Sequence, residues 1–134
     1  MNKICTSLEQ SQKLMELGID INTADMYWEE RINLPKVVVG NYALHIHCRA
    51  TDKDYKKLTN PVLSPAWSLS ALLAVLPSVI TRNDKPMLLT LEKADAYNLY
   101  YKSPNRLNEL WETKEEPIDA CVEMIVNLKE MDLI

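Results

Sequence analysis

Ser64-Pro65-Ala66-Trp67-Ser68-Leu69-Ser70-Ala71-Leu72-Leu73-Ala74-Val75-Leu76-Pro77 is the stretch on which the fold turns, because no charged side chain occurs between Lys57 and Arg82. A helix without one charge is normally buried. Ser64 suits the N-cap, Pro65 the first helical position, where its missing N–H costs nothing, and Pro77 a stop. The pattern predicts a buried central helix over 65–76. It is too short to cross a bilayer: twelve residues reach roughly 18 Å, whereas a span needs about 20 apolar residues. Leu69, Leu72, Leu73 and Leu76 fall at i, i+3, i+4 and i+7, with Ser70 and Ala74 opposite. The small side would let a sheet, a helix or a second copy of the chain come close.

Downstream of this segment, Met87–Lys93 and Tyr97–Lys102 alternate and are rich in aliphatic and aromatic residues, which predicts a hairpin around Ala94-Asp95. Residues 107–111 fit either a further strand or a short helix begun by Ser103-Pro104. Pro117 opens a last helix, on which Ile118, Cys121, Val122, Met124, Ile125, Leu128 and Met131 cover most of the circumference. So broad an apolar arc implies heavy burial or a partner.

Upstream, Thr6-Ser7-Leu8-Glu9 reads as a capping box, Thr6 with Glu9, that starts a one-sided helix stopped at Gly18. Asp20–Asp25 reads as a polar turn. Met26-Tyr27-Trp28 can start a short strand before Pro35 interrupts it. Val37-Val38-Val39, then Gly40-Asn41, then Tyr42–Cys48, reads as a hairpin on a two-residue turn. The sum is an α+β domain, one globular unit over 1–134, with an antiparallel sheet built from two hairpins (about four or five strands) packed with three helices.

Composition narrows the function classes. At 47% apolar and 25% charged residues the chain has ordinary globular composition rather than that of a disordered segment. Residues 1–57 hold eight positive and eight negative charges, and 82–134 hold seven and eleven. The resulting net charge of −4 gives no support to duplex binding, which shows as a basic excess. The one local excess, Arg49–Lys57, reads as a solvated loop. No apolar run near Met1 marks a secretory signal, and Cys5, Cys48 and Cys121 have no Cys-x-x-Cys spacing. Both points place the expected location in the cytoplasm, with core thiols and no membrane association.

Three sets of residues merit weighing as sites. His45 and His47 share one side of a strand and form the candidate metal pair, yet a zinc centre needs three or four ligands and Cys48 points the other way. Tyr97, Tyr101, Lys102 and Arg106 mix aromatic and basic groups as single-strand stacking platforms do. Ordinary β-propensity explains most of that pattern. The acidic run from Glu109 to Asp119 leads into a helix N-terminus, where carboxylates suit the dipole. With only Gly18 and Gly40 in the chain, no phosphate-cradling loop of the usual form exists. No Gly-x-Ser-x-Gly, His-Glu-x-x-His or paired-carboxylate pattern occurs, no cofactor is implied, and no motif identifies a small-molecule ligand.

Three stretches carry a resemblance: Cys5-Thr-Ser-Leu-Glu-Gln-Ser-Gln-Lys-Leu-Met-Glu-Leu-Gly-Ile-Asp20, Pro65-Ala-Trp-Ser-Leu-Ser-Ala-Leu-Leu73 with Leu76-Pro77, and Asp119-Ala-Cys-Val-Glu-Met-Ile125. They resemble segments of small uncharacterised proteins of gut Bacteroides-type bacteria and of their phages or mobile elements. The resemblance implies a genomic setting and transfers no activity and no site residue. The expectation is a non-catalytic accessory or interaction protein that self-associates or binds a protein partner through a broadly apolar helix. The alternatives are a single-stranded nucleic-acid binder using the tyrosine hairpin, or a small enzyme or metal protein using His45 and His47.

Overall fold

The structure, a computed structural model, describes residues 3–31, 34–42, 62–104 and 108–134. Among them the chain forms three α-helices and two antiparallel sheets, an α+β fold. The chain divides into two compact units, residues 5–71 and residues 72–134 with 1–4. No helix among the described residues is long and apolar enough to cross a membrane.

The unit of residues 5–71 starts with α1, Leu8–Glu16. Its capping box lies one residue later than the sequence suggested: Ser7 is the N-cap and Gln10 closes the box, the Ser7 hydroxyl accepting the Gln10 N–H at 3.1 Å. Thr6 is unavailable because it is wholly buried, its hydroxyl sharing a hydrogen bond of 2.8 Å with Ser11. At the other end Gly18 (φ 81°) donates to the Met15 carbonyl and Ile19 to that of Leu14, both at 3.0 Å. That pair of bonds is the Schellman stop, and the left-handed residue within it favours glycine.

Strand β1, Met26–Arg31, is the centre of a three-stranded sheet in the order β2-β1-β3, with β2 covering Leu34–Val39 and β3 covering Val62–Ala66. Val37–Val39 pair back with Met26–Trp28, so Gly40-Asn41 follows a strand that is already partnered. The expected second strand beyond Tyr42 lies outside the described residues. Among the described residues Pro35 and Pro65 both sit in the outer strands of this sheet, where a missing N–H need not break a ladder. Cys5, Met26 and Ala66 form a buried cluster with Trp28 and Val37 packed against it.

The central helix is shorter than its sequence pattern. Pro65 and Ala66 are taken by β3, in register with Tyr27 and Met26, and α2 runs only over Leu69–Val75. The hydroxyl that starts it is Ser68, which accepts the Ala71 N–H at 3.2 Å. Asp25 fixes Ser68 in turn, its carboxylate accepting the Ser68 N–H at 2.9 Å and the Ser68 hydroxyl. Trp67, Leu72 and Leu76 are buried, while Ser70 and Ala74 face solvent, so burial of this segment is one-sided.

In the unit of residues 72–134 the strands β4 (Val79–Arg82), β5 (Lys85–Lys93), β6 (Tyr97–Lys102) and β7 (Asn108–Lys114) lie side by side in chain order. The expected hairpin of β5 and β6 is present, pairing Lys93 with Tyr97 across Ala94–Ala96. The ambiguous segment at 107–111 contributes to a strand from Asn108 onward. One sheet of two hairpins is therefore replaced by two separate sheets. Strand β4 comes as an addition, joined to β5 by Asn83 and Asp84 at φ 52° and 61°. Positive φ at both positions is the signature of the hairpin turn that matches strand twist.

Helix α3, Pro117–Glu130, packs on β6 and β7. Its apolar arc is buried at Ile118, Ala120, Cys121, Val122, Met124, Ile125 and Leu128. This answers the breadth of that arc within the chain itself. Asn127 donates to the Glu112 carboxylate of β7. Near the helix start, the Lys3 ammonium meets Asp119 at 2.8 Å.

Candidate functional site

Strand alternation gives the four-stranded sheet two unlike sides. Ile80, Met87, Leu99, Tyr101 and Leu110 are buried on the side that bears α3. The opposite side carries Val79, Leu88, Tyr100 and Trp111, and three of these stay open, with Val79 48%, Leu88 59% and Trp111 53% exposed. The register sets two apolar pairs on this side, Val79 beside Leu88 and Tyr100 beside Trp111, with Thr90 and Lys102 between them. Val79 pairs with Leu88 and Leu88 with Lys102, while Thr90 pairs with Tyr100 and Tyr100 with Trp111. Scattered single apolar residues on a surface need no explanation, whereas exposed apolar residues gathered on one side of a sheet make a candidate contact surface.

The Trp111 ring is held in place. Its centroid lies 5.9 Å from that of Tyr100 at 46°, a tilted contact. Its indole N–H donates to the Thr113 hydroxyl at 2.7 Å, which donates to the Asn98 side-chain oxygen at 2.8 Å. The Tyr100 hydroxyl donates to Glu92 at 3.3 Å. Burial raises the Tyr100 phenol above its ordinary pKa, and the Glu92 carboxylate adds to the rise. The face is thus a set of pre-positioned rings with an acceptor at its margin.

On this side runs a groove of about 420 Å³, its wall made by Val79, Pro86, Leu88 and Pro104 and its polar side by Thr90, Lys102 and Ser103. Of the residues that the sequence offers as sites, Lys102 lines this groove, and Tyr97 and Tyr101 lie on the other side of β6. His45, His47, Cys48 and Arg106 lie outside the described residues. Tyr101 is wholly buried and donates its hydroxyl to the Pro77 carbonyl at 2.7 Å. Tyr97 carries the Lys93 ammonium 5.6 Å from its ring centroid. Lys102 lies on the other side of β6 from both tyrosines, beside Leu88. The described members of the stacking set do not share one surface. Among the described residues no group of three or more His, Cys, Asp or Glu side chains is placed to hold a metal ion.

No motif marks the residues of the open face. Their one signal is that Leu88 and Leu89 are consecutive within a predicted strand, which must put one leucine on each side of it. Trp111 sits inside the segment whose periodicity is too short to read. Compared with protein-family models, curated proteins and solved structures, the chain gives no match.

Proposed function

We propose that this protein is a non-catalytic accessory protein that works by protein–protein contact through the open face of its four-stranded sheet, with self-association as the first mode. The observation that supports this reading is the alignment of Val79, Leu88 and Trp111 on one side of the sheet, all about half exposed. Tryptophan is enriched among residues that dominate binding energy at interfaces, and a ring already fixed by its neighbours loses little freedom on docking. The helical surfaces expected to associate are less suitable. Of the α3 arc, Met131 is the member left exposed, and α2 offers only Ser70 and Ala74. The sheet face takes over the role that the sequence assigned to a helix.

The test is a dilution series followed by light scattering on the intact chain. A mass that rises from one chain to two or more with concentration is the expected result. A single-chain mass throughout the series, together with no change of the Val79, Leu88 and Trp111 resonances on concentration, removes self-association through this face.

A further inference from the structure

The groove at the β4–β5 end of the open face joins an apolar wall to one cation. Lys102 lies beside Leu88 in the β5–β6 register and is half-buried at the groove. Among the described residues its ammonium has no carboxylate partner, and the Thr90 hydroxyl, which lines the same groove, has no hydrogen-bond partner. A cation without a counter-charge favours an anion that reaches it, since a charge-assisted hydrogen bond is stronger than a neutral one. The volume, about 420 Å³, is that of a site for a small organic molecule.

We propose that this groove binds a small amphipathic carboxylate, an alkyl or aryl chain with a single anionic group. The hydrocarbon lies along Val79, Leu88 and Pro104, and the carboxylate accepts from the Lys102 ammonium with Thr90 as a second donor. The sign follows from the lining. An organic cation meets Lys102 with like charge. A neutral alcohol leaves the ammonium without compensation. The inference goes beyond the interaction reading and does not depend on it, because a monomer carries the whole groove.

The experiment titrates the intact chain with submicellar octanoate, octan-1-ol, octylammonium and acetate, following methyl resonances by NMR. Saturable shifts at Val79 and Leu88 with octanoate are expected, and binding at least tenfold weaker with the other three. Lys102→Met should weaken octanoate about tenfold and leave octan-1-ol unchanged. Leu88→Glu alters an exposed position, keeps the fold and puts a like charge against the carboxylate, so it should abolish octanoate binding even where Lys102→Met fails to fold. Equal binding of octanoate and octan-1-ol, shifts confined to residues outside the groove, no saturable binding, or full octanoate binding by Leu88→Glu each overturns the proposal. Because the same titration run on a purely monomeric sample still reports octanoate binding, its failure is separate from failure of self-association.

Discussion

Thr6 and Trp67, sixty-one positions apart, hold one another by two hydrogen bonds: the Thr6 N–H donates to the Trp67 carbonyl at 2.9 Å and the Trp67 N–H donates to the Thr6 hydroxyl at 3.1 Å. Both residues are wholly buried. The Trp28 indole donates to the Thr6 carbonyl at 2.9 Å, and the Trp67 indole donates to the Thr23 hydroxyl at 2.8 Å. One threonine thus ties the start of α1, strand β1 and the residue that follows β3. Thr6→Val, which keeps the shape and deletes the hydroxyl, leaves the Trp67 N–H and the Ser11 hydroxyl short of a partner. An unsatisfied buried donor costs about 1–3 kcal/mol. Urea unfolding should show a loss in that range for Thr6→Val and a much smaller one for Thr6→Ser. A loss under about 0.5 kcal/mol for Thr6→Val, on the scale of an ordinary surface change, would show that the hydroxyl is dispensable.

The same pair explains where reading the sequence stopped short. Thr6-Ser7-Leu8-Glu9-Gln10 contains two overlapping capping boxes, and local pattern cannot choose between Thr6/Glu9 and Ser7/Gln10. The choice is made by Trp67, far along the chain. Ser64-Pro65 is likewise a sound helix start by local rules, yet β1 requires a partner on its second edge and Pro65-Ala66 supply it in register with Tyr27 and Met26. The hairpin of β5 and β6 and the helix α3 were legible because their periodic runs are long enough to be read alone. The open face was not, since exposure of Leu88 and Trp111 depends on which side α3 covers.

The turn between β4 and β5 places two non-glycine residues, Asn83 and Asp84, at positive φ. An L-residue in that region loses roughly 1–2 kcal/mol, less for Asn and Asp, and Asn-Gly is the preferred pair for such a turn. Asp84→Gly should therefore raise stability by about 0.5 kcal/mol after the entropy of the unfolded glycine is counted. Asp84→Val should lower it by about 1–2 kcal/mol. Urea midpoints of the two variants check the order, and a glycine variant less stable than the parent refutes this account of the turn.

Alkaline pH should unfold this protein through the interior of the unit that carries α3. Burial pushes the Cys121 thiol up from an ordinary 9.0 to about 12, and it raises the Tyr101 phenol above 10.0, with Cys121 adding to that rise. Each group is neutral when protonated, so the folded state holds its proton more tightly than the unfolded chain. The stabilisation is fully present below the unfolded pKa and is lost as pH climbs toward the folded one. For Cys121 the window is pH 9 to 12, with a slope of up to about 1.4 kcal/mol per pH unit. Denaturation midpoints should be flat from about pH 7 to 8.5 and fall above about pH 9. Cys121→Ala should start from a lower stability and fall less steeply. An equally steep fall in that variant would assign the effect to other groups.

Substitutions on the open face should separate association from folding. Leu88 is 59% exposed and Trp111 53%, so a charged replacement removes little buried area from the single chain. For Leu88→Glu the expected change in stability stays within about 0.5 kcal/mol, as for surface positions generally. Trp111→Glu gives up its tilted contact with Tyr100, worth about 0.5–1.5 kcal/mol, along with the hydrogen bond to Thr113. In a dimer formed by two copies of this face, each substitution appears twice because a two-fold interface repeats every contact. Four glutamates facing one another would then oppose the docking of the apolar set. The double variant should therefore remain monomeric at concentrations where the parent associates, while its unfolding midpoint moves only by the amount that the single variants lose. Persistent association of the folded double variant would place the interface on another surface, and a collapse of its stability beyond the sum of the singles would show that the face belongs to the core.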